Sequence, residues 1–136
     1  HPAVFKPLRS IYEKDNGRVG GCGIKGILGV LADGSFALCG IGSSVKELVF
    51  GNAKNDKLKD IWENNSVLND IRENMPKKLE GICGKCMFKA VCLGSCVAQN
   101  YYRSKNLWAP FWYCEEAEKA GLFPESRKIP DKKGKN

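Results

Sequence analysis

Seven cysteines constrain this chain more than any other feature of its sequence. They are Cys22, Cys39, Cys83, Cys86, Cys92, Cys96 and Cys114. An odd number of cysteines cannot all pair in disulfides within one chain. Closely spaced thiols in a cytosolic protein favour thiolate ligation of metal instead. We therefore expect a cytoplasmic protein whose fold is organised by metal centres.

Length and charge narrow the classes of function that remain. A chain of 136 residues is expected to form one domain with a modest core. The formal net charge is +7, but the basic residues are spread along the chain outside residues 126–136. This formal charge counts the cysteines as neutral, so thiolates around a metal centre would make the loaded protein less basic. Both observations argue against a nucleic-acid partner. No apolar run approaches the length of a membrane span, so no membrane association is expected.

A β-hairpin is predicted in the N-terminal part of the chain. The apolar segments GILGVLA and SFALCG flank Asp33-Gly34, a pair that favours a tight primed turn between two strands. The paired strands would bring Cys22 and Cys39 together at the open end of the hairpin. The spacing therefore makes both cysteines candidate ligands, although two buried thiols in an ordinary hairpin remain the alternative.

Short helices are predicted after the hairpin. Residues 55–76 indicate two of them, the first capped by Asn55 and the second capped by Ser66 and stopped by Pro76. Further short helices are expected within residues 95–104 and before Gly121. We predict an α+β fold, a small metal-cluster-organised domain with an N-terminal β-hairpin followed by short helices and cysteine-rich loops. Its boundaries are an irregular lead-in over 1–19, the cluster domain over 20–123 and a basic flexible tail over 124–136.

The central run Cys83-x2-Cys86-x5-Cys92-x3-Cys96 favours iron–sulfur chemistry over zinc. Structural zinc sites are commonly built from two Cys-x2-Cys pairs, whereas this chain has one such pair and three cysteines too many for one site. Iron–sulfur clusters are held by compact cysteine runs whose last member often ligates a different cluster. Gly84 and Gly94 would let the backbone approach such a cluster closely; the alternative is that they are ordinary turn glycines.

The complete pattern adds Cys22-x11-Gly34-x4-Cys39 before this run and Cys114 after it. It resembles the seven-cysteine pattern of the SPASM domain, the C-terminal accessory module of many radical S-adenosylmethionine enzymes. The helical segment LKDIWENNSVLNDIREN between hairpin and cysteine run is also typical of that family. The resemblance covers about residues 20–120.

The resemblance implies two auxiliary [4Fe-4S] clusters. The first would be held by Cys22, Cys39 and Cys96, and the second by Cys83, Cys86, Cys92 and Cys114. Some family members complete the first cluster with a cysteine before the hairpin, and residues 1–21 contain none. An open iron, a non-cysteine ligand such as Asp15 or Glu13, a substrate ligand and a smaller cluster all stay open as explanations.

The sequence offers no catalytic residues of its own. The radical S-adenosylmethionine core requires Cys-x3-Cys-x2-Cys, and the spacing that Cys92 and Cys96 begin is broken by Gln99. We therefore expect this chain to work with a radical S-adenosylmethionine catalytic domain, which alone would bind S-adenosylmethionine. Because the chain does not begin with Met, we favour an excised module over a separate protein. Family analogy suggests a peptide or protein substrate, although some relatives act on tetrapyrroles or other small molecules.

Two other functions compete with an auxiliary module that serves electron transfer, substrate binding or both. A free-standing ferredoxin-like electron carrier would be reversibly redox active and would support unrelated reductases. A zinc-stabilised interaction module would be colourless and would bind nucleic acid in a strongly salt-dependent way. Metal content and visible absorbance distinguish the zinc module from the other two.

Overall fold

The structure is a computed structural model that describes residues 22–41 and 44–130. The strands are β1 (Gly29–Val30), β2 (Ser35–Ala37) and β3 (Val49–Asn52). The α-helices are α1 (Leu58–Asn64), α2 (Ser66–Asn74), α3 (Gly81–Lys85), α4 (Lys89–Cys92), α5 (Val97–Ser104) and α6 (Trp112–Lys119). Short 3-10 helices span Lys46–Leu48 and Glu125–Arg127. A small sheet followed by short helices confirms the predicted α+β class.

The three strands form one antiparallel sheet in the order β1-β2-β3. Gly29 lies opposite Ala37 in the predicted hairpin. The third strand was not expected; it pairs with β2 so that Phe36 lies opposite Gly51. The side chain of Asn52 donates to Asp33 O at 3.2 Å and so fastens β3 to the hairpin turn.

The hairpin turn is wider than the predicted two-residue primed turn. The N–H of Gly34 donates to Leu31 O at 2.9 Å, and the N–H of Leu31 donates to Ser35 O at 2.8 Å. Gly34 has φ +85°, whereas a type I′ turn would also require positive φ at Asp33. The Asp33 carboxylate instead accepts from the N–H of Ser35 at 2.9 Å, which favours the wider turn.

The two helices predicted over residues 55–76 are present, but both caps were predicted at the wrong residue. Lys57 precedes α1, and no side chain caps that helix. The side chain of Asn65 accepts from the N–H groups of Val67 at 3.0 Å and Leu68 at 3.1 Å, so Asn65 caps α2. Ser66 is the first helical residue instead. The predicted stop is confirmed, because α2 ends at Asn74, two residues before Pro76.

The buried side chains form two hydrophobic clusters. The first lies between the sheet, α2 and α5, with Leu38, Leu48, Ile71 and Val97 at its centre. The second lies around α3, α4 and α6 and is built on Ile82, Phe88 and Phe123. Cysteines contribute to both clusters, so the packing of the domain and the placement of its thiols are linked.

The ordered fold extends beyond residue 123, where the flexible tail was predicted to begin. Glu125–Arg127 is helical. The N–H of Met87 donates to Arg127 O at 2.9 Å, and the N–H of Ile129 donates to Lys85 O at 2.7 Å. These backbone bonds hold residues 127–129 against the loop that carries Cys86, a contact that the local sequence of a basic segment does not indicate. The predicted lead-in over 1–19 lies outside the described residues, and so do residues 131–136. Glu13 and Asp15 fall within that lead-in.

No helix in the part of the chain that the structure describes combines the length and apolar character needed to cross a bilayer.

Candidate metal centre

All seven cysteines are thiols rather than disulfides, and the fold separates them into two sets. The hairpin thiols, as we name the first set, are Cys22, Cys39 and Cys96. The cavity thiols, the second set, are Cys83, Cys86, Cys92 and Cys114. The family resemblance implied that each of these groups holds a cluster, which stays a prediction.

The hairpin thiols lie together on the edge of the first hydrophobic cluster. All three pack against that cluster and are only partly buried. Burial raises the pKa of Cys22, and the nearby Cys96 thiol raises it further. A backbone hydrogen bond from Ile24 lowers this pKa, and the Cys39 thiol raises it by a smaller amount. The two neighbours that act electrostatically on Cys22 are thus the other two members of its set.

The cavity thiols line one apolar cavity in the second half of the chain. It is narrow, since only about 10 Å³ of it can be occupied by the centre of a water molecule, and it is partly open to solvent. Apolar wall is contributed by Ile82, Phe111 and Phe123. Each cavity thiol belongs to a residue that is at most 8% exposed, so this set is more buried than the hairpin thiols.

The other three cavity thiols lie close enough to Cys83 to affect its pKa. Burial raises the pKa of Cys83 to about 12, although a backbone hydrogen bond from Phe111 opposes the increase. The thiols of Cys114, Cys92 and Cys86 each raise that pKa further. These interactions join α3, α4 and α6, which carry three of the thiols, to Cys86 in the loop directly after α3.

Backbone N–H groups point at two of the sulfurs. The N–H of Phe111 donates to Cys83 Sγ at 3.3 Å, and the N–H of Phe88 donates to Cys86 Sγ at 3.4 Å. Hydrogen bonds of this kind favour a thiolate and tune the redox potential of a metal that it holds. The two bonds also fix the sulfurs relative to α4 and α6.

A sharp turn sends Cys92 and Cys96 to different sets. Three consecutive residues between them, Leu93, Gly94 and Ser95, have positive φ. Two of these are not glycine, and such residues adopt this conformation only where the surroundings impose it. Cys92 lines the cavity, whereas Cys96 packs on the first hydrophobic cluster. The expectation that the last cysteine of the run turns away from the others agrees with this path of the chain.

The two glycines in the cysteine run have different surroundings. Gly94 belongs to the positive-φ turn, as the simpler of the two predictions had it. A Cβ on Gly84 would overlap with Leu79 O. The close approach that requires glycine at position 84 is therefore to the backbone carbonyl of Leu79.

Sequence reasoning missed two residues at this site. Lys89 lines the cavity, and its Nζ donates to Gly84 O at 3.0 Å. Asn100 is 3% exposed, and its Nδ2 donates to Gly94 O at 2.9 Å, which braces the turn before Cys96. Lys89 stands three residues from both Cys86 and Cys92, a spacing that could have indicated it. Nothing in the local sequence pointed to Asn100.

The thiols surround a space and do not converge on a point. Within residues 22–41 and 44–130, no three His, Cys, Asp or Glu side chains stand close enough together to hold one metal ion. The cavity thiols line the walls of a space between α3, α4 and α6.

Residues 16–87 match the family model of the SPASM domain, described as an iron–sulfur cluster-binding domain. The matched residues make up just over half of the 136-residue chain. The chain belongs to the SPASM family. The matched part of this SPASM domain contains Cys22, Cys39, Cys83 and Cys86, and the remaining three cysteines lie C-terminal to it.

A curated relative has 36% identity to this SPASM domain over 64 residues. It is the AdoMet-dependent heme synthase of Methanosarcina barkeri, and the similarity covers 47% of this chain and 18% of the relative. The chain thus spans about a fifth of the length of the relative that it matches. No solved structure matches the chain.

Proposed function

We propose that this chain is an auxiliary iron–sulfur module that acts beside a radical S-adenosylmethionine catalytic domain. One observation carries the proposal: four thiols from three helical elements line a single apolar cavity in a chain of the SPASM family. The similarity to an AdoMet-dependent enzyme supports the catalytic partner.

The donor set fits an iron–sulfur cluster. Thiolates are the ligands that hold such clusters, and the cavity thiols stand in a mainly apolar wall. A four-iron cluster is wider than one ion, so its ligands stand around a space and need not converge on one point. We assign one [4Fe-4S] cluster to Cys83, Cys86, Cys92 and Cys114. We assign a second to Cys22, Cys39 and Cys96, with its fourth position open or filled by a non-cysteine ligand.

Bound clusters would supply one-electron transfer or an open iron to the catalytic partner. The protein contributes position and electrostatics. The bonds from Phe111 and Phe88 orient Cys83 and Cys86, and the apolar walls limit the access of water to that set. The hairpin thiols are more open to solvent, which supports a role for their side of the domain in contact with the partner or its substrate.

We propose two chemical classes of substrate. Family analogy favours a peptide or protein, and with it a maturase in the cytoplasm. The alternative is a tetrapyrrole, which the name of the curated heme synthase supports. Binding of each class to the reconstituted chain, measured by calorimetry, distinguishes them.

The test of the proposal is electron paramagnetic resonance of the anaerobically reconstituted, reduced full chain. We expect signals from two four-iron clusters, and the variant C83S/C86S should lose one of them. A wild-type chain that shows no cluster signal would contradict the proposal. The same preparation, given S-adenosylmethionine and a reductant, should form no 5′-deoxyadenosine, since Gln99 breaks the required cysteine spacing.

A further inference from the structure

Lys89 is a charged residue in the wall of the four-thiol cavity. Among the described residues that line this cavity, it is the one with a charged side chain, and none of the others is a carboxylate. Its side chain is half-buried, and its ammonium donates to Gly84 O at 3.0 Å. The ammonium is thereby anchored to the backbone between Cys83 and Cys86.

Lys89 shares a short helix with one of the cavity thiols. Lys89 is the first residue of α4, and Cys92 is the last. Side chains three residues apart lie on the same face of a helix. The N–H of Lys89 also donates to Cys86 O at 3.1 Å, so the backbone on its other side is fixed to the Cys86 loop.

A nearby lysine differs from Lys89 in its partners. Lys128 forms ion pairs with Glu125 at 2.6 Å and Glu118 at 4.0 Å, so carboxylates offset its charge. The Lys89 ammonium instead donates to a neutral carbonyl. Lys89 therefore places a positive charge beside the cavity wall, at Gly84 O, and this carbonyl does not neutralise it.

The charge on a bound cluster gives this lysine a role. Each thiolate contributes one negative charge, and together they outweigh the positive charge of a four-iron core. One-electron reduction adds another negative charge. In an apolar cavity such charge is costly to bury, and a fixed cation lowers that cost most for the reduced state.

We propose that the Lys89 ammonium compensates the charge of the cluster held by the cavity thiols and raises its reduction potential. This inference rests on the proposed function, because it requires a cluster at these four thiols. In this proposal Lys89 acts on the cluster through its charge and is not one of its ligands.

The experiment is a potentiometric titration of the full chain, monitored by electron paramagnetic resonance at fixed ionic strength. The background carries C22S and C39S, so that only the cavity thiols hold a cluster. K89M removes the charge and keeps an apolar stem, whereas K89R keeps the charge. K85M is the control, because it removes an equal charge from Lys85, which is exposed and does not line the cavity. The same titration in the otherwise wild-type chain, fitted to two couples, provides a second measurement.

We expect K89M to make reduction about tenfold less favourable, equivalent to ~59 mV for a one-electron couple. K89R should stay close to the parent potential, and K85M should change the equilibrium constant by less than about threefold. Loss of the cluster in K89M with retention in K89R, measured as iron content, would also support a requirement for the charge. An unchanged potential in K89M, or an equal shift in K85M, would overturn the inference. A parent chain with no iron and sulfide would instead defeat the proposed function.

Discussion

The backbone N–H of Phe111 donates a hydrogen bond to Sγ of Cys83 at 3.3 Å. Phe111 directly precedes α6, the helix that carries Cys114, and Cys83 lies in α3. This one bond joins residues 28 positions apart and sets Cys114 against the central cysteine run. The geometry of the cavity therefore depends on the docking of α6 onto α3.

The separation of the thiols into two sets predicts that their iron can be lost independently. Cys83→Ser should remove about half of the iron of the reconstituted chain, because only the cavity site loses a ligand. Cys22→Ser should remove about the other half. Iron analysis of both variants and of the double variant checks this. Loss of nearly all iron in either single variant would mean that the two sites do not assemble separately.

The difference in burial predicts an order of chemical reactivity in the metal-free chain. Iodoacetamide needs access to sulfur, so Cys22, Cys39 and Cys96 should be alkylated several-fold faster than the four cavity thiols. Peptide mass spectrometry at timed intervals measures each rate. Denatured protein, in which all seven thiols react alike, is the control. Equal rates in the folded chain would contradict the burial of the cavity set.

The tight packing of Gly84 predicts that Gly84→Ala is destabilising. A Cβ there would overlap with Leu79 O, and α3 would have to move to relieve the overlap. We expect the free energy of unfolding to fall by about 1–3 kcal/mol. Gly40→Ala is the matched control, since a Cβ at Gly40 meets no atom within 4 Å and should change stability by less than about 0.5 kcal/mol. Urea denaturation of both variants in the same metal state tests this, and equal stabilities would refute it.

The cap of α2 predicts a further difference between neighbouring residues. Asn65→Ala removes the acceptor of two backbone N–H groups and should lower the free energy of unfolding by about 1 kcal/mol. Ser66→Ala changes a residue already inside the helix and should cost less than about 0.5 kcal/mol. Chemical denaturation of the two variants gives the comparison. A larger loss of stability in Ser66→Ala would contradict Asn65 as the cap and favour Ser66, the residue predicted from the sequence.

The sequence patterns predicted elements whose signals are local. The hairpin, the two helices of residues 58–74 and the helix at Val97–Ser104 follow from apolar spacing and turn residues. The α2 cap was missed by one residue, because Asn65 and Ser66 are adjacent and both favour caps. The strand Val49–Asn52 was missed because it is short, contains Gly51 and exists through pairing with β2.

In the candidate site, too, the features with a local sequence signal were predicted and those that depend on distant contacts were not. Cysteine spacing together with the family resemblance suggested the two groups of thiols. The buried Asn100 and the backbone N–H donors of Phe88 and Phe111 depend on contacts between separate elements, which spacing does not reveal. The packing of residues 127–129 against the Cys86 loop was hidden for the same reason.

The most direct test is the iron, sulfide and zinc content of the anaerobically reconstituted full chain, read with its visible spectrum. Two four-iron clusters predict about eight iron and eight sulfide per chain with a broad brown absorbance. About six iron would indicate a smaller or labile cluster at the hairpin thiols. Stoichiometric zinc without sulfide, persisting after reconstitution, would contradict the iron–sulfur assignment and favour a zinc-stabilised module.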